Sequence, residues 1–186
     1  MTGGVLIVLL AVLGITILRI GQLISVHLFV GLLLLGPLAI KMASTGYRFV
    51  RYYAGSSAYR KKGPPEPTMR LIAPIVVVST VIVFMSGILL MFAGPSGRNE
   101  LLLIHKASFI VWLLFTAVHV LGHLPRMAHL LRPAGAIAIS SWRSPGDAGR
   151  WIVLAGGLVG GLVLAIALIP QFAPWTTHSV LMHHHH

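Results

Sequence analysis

Apolar residues gather into five runs along the chain, at about 3–18, 23–50, 69–92, 101–124 and 151–172, with short polar connections between them. A transmembrane helix needs about 20 predominantly apolar residues, so this pattern predicts five spans and an all-α integral membrane protein. The first run is short. It has neither a basic stretch ahead of it nor an A-x-A cleavage site, so it reads as a helix rather than a signal peptide. The second is long enough to project beyond the bilayer through Tyr47, Arg48, Arg51 and Tyr52, and Pro37 is expected to kink it. The fifth contains GGLVGG, in which Gly156 and Gly160, and Gly157 and Gly161, stand four apart. That spacing suits close helix packing in lipid, with a flexible glycine-rich helix as the alternative.

Composition agrees with this pattern. Of 186 residues, 56% are hydrophobic and 9% charged, with mean hydropathy +0.90. Soluble domains carry roughly a quarter charged residues. The net charge of +11 does not indicate nucleic acid, because the basic residues lie between apolar runs rather than on a soluble face. Seven lie between Lys41 and Arg70 and four between Arg126 and Arg150, leaving Arg19, Arg98 and Lys106 elsewhere. By the positive-inside rule the N-terminus is expected in the cytoplasm and the C-terminus outside, in a multi-pass protein of the plasma membrane. The turn GPSGRNE is then external, and the linkers SSAYRKKGPPEP and HLLRPAGAIAISSWRSPGDAG face cytoplasm and anionic lipid. The second linker has room for a short interfacial helix.

Side-chain chemistry is sparse. Cysteine is absent, which excludes disulfides and thiolate metal sites. The three carboxylates, Glu66, Glu100 and Asp147, map to loops or helix ends. Proton-coupled transporters usually carry acids inside the membrane, so their absence argues for another function. Met85 and Met91 are six apart, on different helix faces, and read as packing residues.

Histidine is the exception. Setting aside the terminal HHHH as a tag remnant, six remain: His27, His105, His119, His123, His129 and His178. His105 and His119 are 14 residues apart in LLLIHKASFIVWLLFTAVHVLGHL, close to four helical turns. They share a helix face about 21 Å apart, one near each side of a bilayer. His27 and His105 each fall about five residues inside the external end of a span, at matching depth, as the axial ligands of one b-type haem would. Gly31, one turn after His27, would leave room for the ring. Two buried histidines held by serines or backbone would give the same residues without a cofactor. Fourteen residues after His27 stands Lys41, followed by Met42. Either could serve an inner haem with His119, and Lys41 could instead pair with a propionate or snorkel to the interface. His119, His123 and His129 are also candidates for zinc or copper, short of a further ligand.

The helix HKASFIVWLLFTAVHVLGHL resembles the fourth helix of the bacterial cytochrome b561 superfamily. Within it, the resemblance is to the cytochrome b subunits that anchor respiratory formate dehydrogenases and nickel–iron hydrogenases. It covers about residues 3–124 and implies a four-helix haem-binding bundle to which the fifth span is an addition. In that family the second helix supplies one ligand to the outer haem, the position of His27. The fourth helix supplies one to each haem, the positions of His105 and His119. The inner haem's other ligand comes from the start of the first helix, which here reads MTGGVLIVLL without histidine. The resemblance therefore implies an outer haem, an inner haem that is missing or differently ligated, and a quinone site near the inner position. His119, His123, Lys41 and the Arg48/Arg51/Tyr52 cluster are its candidates. The expected role is electron transfer between a quinone pool and a redox partner at the external face, with Arg98 and Lys106 near the outer haem's propionates. An electron-transfer component fits better than a self-contained enzyme. A haem-free, histidine-based metal-binding or transport protein is the alternative.

Overall fold

The computed structural model describes residues 2–57, 67–93, 98–131 and 147–176, and these are helical almost throughout, with no strand among them. Among the described residues five α-helices follow in order: α1 (Thr2–Leu18), α2 (Ile20–Tyr53), α3 (Pro67–Ala93), α4 (Arg98–Leu131) and α5 (Asp147–Ala167). A short 3-10 helix, Ile169–Phe172, comes after α5. Four of the five helices are long and apolar enough to cross a membrane, making this a multi-pass membrane protein. The fifth, α1, has 17 residues and falls at the lower limit of a span. Both α2 and α4 have 34 residues, or about 51 Å, more than the ~30 Å of a hydrocarbon core.

Local sequence explains where the helices begin and end. Only Arg19 separates α1 from α2, and its carbonyl accepts from the amides of Gln22 and Leu23 at 3.0 Å. The one residue inside α2 with non-helical dihedrals is Leu23, at φ −110° and ψ 19°. Leu23 lies next to the tight turn, and Pro37, where a kink is expected, is buried and keeps helical dihedrals. At the other end Gly55 adopts φ 86°, a left-handed conformation that a side chain would strain. There the Ser56 amide reaches back to the Arg51 carbonyl and the Gly55 amide to Tyr52, closing the helix with a Schellman cap. The expected turn at Gly94–Gly97, most of the two basic linkers and the short interfacial helix expected in the second fall outside the described residues.

Packing divides the molecule into two halves. In one, α2 lies between α1 and α5; in the other, α3 pairs with α4; α2 and α3 touch only lightly. One apolar cluster joins Leu6, Val30 and Leu34 with Phe84 of α3 against it. The other joins Leu32, Met91, Ala165 and Phe172, so α2, α3, α5 and the 3-10 helix meet there. Outward faces remain apolar, with Leu18 83% and Ile152 72% exposed, as expected where the surrounding solvent is lipid. Hydroxyls inside the α3–α4 pair return to their own helix: Ser79 and Thr80 donate to the Val76 carbonyl at 3.2 and 2.6 Å. Thr80 also accepts from Trp112 Nε1 at 2.9 Å, a polar link between α3 and α4.

The glycines of α5 are not equivalent. A methyl built on Gly161 would overlap the Leu33 carbonyl oxygen, and one on Gly36 the Gly157 carbonyl oxygen. Gly157 and Gly161 therefore form the surface on which α2 seats, at Gly36. Gly156 and Gly160 have nothing within 4 Å of such a methyl.

Candidate cofactor site

Where the two halves meet with few contacts, a cavity of about 260 Å³ opens between α1, α2, α3 and α4. Ligand pockets typically measure ~300–1,000 Å³, so this one approaches that range. Its walls are leucine, isoleucine, valine, methionine and aromatic residues, and the side chains among them with polar atoms are His27, His105, Lys106 and the indoles of Trp112 and Trp175. His27 stands seven residues into α2 from Ile20, and His105 seven residues into α4 from Arg98. One comes from each half of the molecule, and both line the cavity.

Hydrogen bonding fixes the state of each ring. The Val83 carbonyl can only accept, so its 3.0 Å contact with His105 Nδ1 requires a proton on that nitrogen. Ser86 Oγ, at 3.1 Å, shares this proton while donating its own to Val83 at 3.0 Å. For His27 the partner is Thr16 Oγ1 at 2.8 Å. Thr16 gives its single proton to the Leu13 carbonyl at 2.6 Å, and so accepts from His27 Nδ1–H. With Nδ1 protonated in both, each Nε2 carries the lone pair. A metal-bound imidazole has this arrangement, its second nitrogen donating to a carbonyl or hydroxyl. Burial of two histidines satisfied at Nδ1 accounts for half of each ring and leaves the Nε2 atoms without a hydrogen bond among the described residues.

Glycines border the site. Gly31 lines the cavity, with nothing within 4 Å of where a Cβ would stand. Gly87 on α3 lies against the other imidazole: a Cβ there would come within 3.1 Å of His105 Cε1. At one end Trp175 closes the wall, its Nε1 donating to the Met91 carbonyl at 3.4 Å, with the Arg98 guanidinium 6.0 Å from its ring centroid. Lys106 is exposed while also lining the cavity, which puts a cation at its rim.

Of the residues singled out in the sequence, His27, Gly31 and His105 come together and the inner set does not. His119 is half-buried on α4 and is not part of the cavity wall. Lys41 is exposed on the projecting part of α2, with Met42 half-buried beside it. The side chains of His123 and His129 and all of His178 lie outside the described residues. No group of three or more metal-ligating side chains occurs among the described residues. Arg48, Arg51 and Tyr52 lie near the C-terminal end of α2, where Tyr52 and Tyr53 pack edge to face at 5.3 Å.

Sequence reasoning passed over Thr16, Ser86, Gly87 and Trp175. A lone threonine at the end of an apolar run was the available signal for Thr16, which is only 2% exposed. A serine–glycine pair inside an apolar helix was the signal for Ser86 and Gly87.

Two imidazoles, apolar walls, a glycine beside each ring and cations near the rim are residues that could hold a planar cofactor such as haem. No protein-family profile, curated protein or solved structure matches the chain.

Proposed function

We propose that this chain is a membrane b-type cytochrome that carries electrons, with His27 and His105 as the axial ligands of one haem b. The observation that carries this reading is one apolar cavity lined by two histidines from separate halves of the bundle, each hydrogen-bonded at Nδ1. When bound, the haem supplies a one-electron iron couple whose potential depends on axial ligands and burial. The protein's part is to bind and shield. His27 and His105 present Nε2, Gly31 leaves space for the ring, and the aliphatic walls keep water out. Lys106 and Arg98 provide positive charge for the ring's carboxylates. With His27 and His105 both holding it, the haem would have no position open to oxygen, which would suit electron transfer.

The cellular setting proposed is the plasma membrane, with electrons passing between a quinone pool and a redox partner at the external face. An inner haem would need His119 with Lys41, Met42 or His123, and His119, Lys41 and Met42 do not line the cavity of His27 and His105. One haem per chain is proposed, at that cavity. The decisive test is a dithionite-reduced minus oxidised spectrum of purified protein, with pyridine haemochrome quantification. A b-type α band at about one haem per chain, lost in both His27→Ala and His105→Ala, supports the site. A colourless preparation made with ample haem ends the cytochrome reading and turns attention to metal content.

A further inference from the structure

The two imidazoles are held in different ways, and the difference lies in α1. His105 Nδ1–H has two acceptors, and one of them, the Val83 carbonyl at 3.0 Å, is backbone that no side-chain substitution removes. His27 Nδ1–H has one, Thr16 Oγ1 at 2.8 Å, on a different helix. Thr16 is 2% exposed, so water cannot readily replace it. Its own proton is held by the Leu13 carbonyl at 2.6 Å, which fixes the rotamer and turns a lone pair toward the histidine. We propose that Thr16 is a positioning residue for His27, holding its tautomer and raising its donor strength, and that Ser86 is its redundant counterpart at His105.

This inference rests on the reading of the two histidines as axial ligands. It gives α1, which has no histidine, a part in the site: the helix supplies the hydroxyl that orients a ligand carried by α2. An imidazole whose Nδ1–H is hydrogen-bonded is a stronger electron donor at Nε2. Stronger donation favours the more positively charged iron and lowers the potential of the couple. Loss of the sole acceptor at His27 therefore moves the midpoint upward and frees the ring to rotate. Loss of Ser86 leaves His105 bonded to Val83.

The test uses the full chain loaded with haem and reads the equilibrium midpoint potential, the low-spin EPR g values and haem per chain. Thr16→Val, close in shape but without the hydroxyl, is expected to shift the midpoint upward and change the g values. Thr16→Ser is expected to restore both, and Ser86→Ala to leave both at wild-type values. Should Thr16→Val fail to accumulate, Thr16→Cys, with its weaker acceptor, must give an upward shift of its own. Haem-loaded protein whose midpoint and g values ignore the Thr16 substitutions overturns the proposal, as does an equal shift in Ser86→Ala. Wild-type protein that takes up no haem fails earlier, at the ligand reading itself.

Discussion

Helix α5 offers a sharp comparison, because two glycine pairs in one hexapeptide have opposite surroundings. A methyl added to Gly161 would overlap the Leu33 carbonyl oxygen and lie 3.0 Å from its carbon. Carbon atoms in contact prefer about 3.5–4.0 Å, so the axes of α2 and α5 must part by about 1 Å. A gap of that size forfeits roughly a quarter to a half of each dispersion contact it opens, and forcing a methyl into a packed interface costs about 1–3 kcal/mol. A methyl on Gly160 meets nothing within 4 Å. Both substitutions gain the same helix propensity, about 1 kcal/mol for alanine over glycine, so that gain cancels between them. Gly161→Ala is therefore expected to be less stable than Gly160→Ala by about 1–3 kcal/mol. Reversible unfolding in a mild detergent, followed by helical circular dichroism, measures the difference. Gly36→Ala, aimed at the same interface from α2, should fall with Gly161→Ala. Equal stability of the Gly160 and Gly161 variants, or a loss confined to Gly160, would refute the assignment of the packed face.

Three further outcomes follow from the site and its surroundings. Thr80→Val removes the acceptor of Trp112 Nε1, and interhelical hydrogen bonds in membranes average about 0.6 kcal/mol. A small loss of stability with haem content preserved is expected, and loss of haem would show that this bond holds the Trp112 indole where the cavity wall needs it. Gly31→Leu should fill the cavity and lower haem per chain, while Gly31→Ala, with open space at Cβ, should bind as wild type; full haem in the leucine variant would remove Gly31 from the cavity wall. Trp175→Ala strips the indole that closes one end, so haem should pass faster to excess apomyoglobin, and an unchanged transfer rate would show that the indole does not limit exit.

What could be read in advance was whatever depends on one helix at a time. Apolar run length located the helices, with α4 running seven residues past the predicted end at Leu124, and depth from the span ends paired His27 with His105, which line one cavity. Contacts between helices were less legible. GGLVGG offered two equivalent glycine pairs by spacing, and only the position of Gly36 on α2 selects Gly157 and Gly161. The non-helical backbone at Leu23 was equally hidden, because it belongs to the one-residue connection at Arg19, which run length does not show. Thr16 was invisible for a related reason. A threonine in an apolar run signals little until the hairpin at Arg19 brings it beside a residue eleven positions later.

Those same observations explain why the cavity lies where it does. The α1–α2–α5 group and the α3–α4 pair are each closely packed, and α2 meets α3 along only a short stretch. Two packed halves in light contact leave a gap, and the apolar clusters around Leu34 and Met91 keep the halves from drifting apart. The short helix after α5 adds Phe172 to the second of these clusters, and Trp175 then reaches the Met91 carbonyl. The fifth helix thus contributes no ligand, yet it braces α2 through Gly157 and Gly161 and delivers the segment that closes one end of the gap. A cofactor held by His27 on one side and His105 on the other would complete the contact that these halves lack. In this arrangement a bound haem would add to the contacts those two clusters already make, so haem occupancy would raise the stability of the fold.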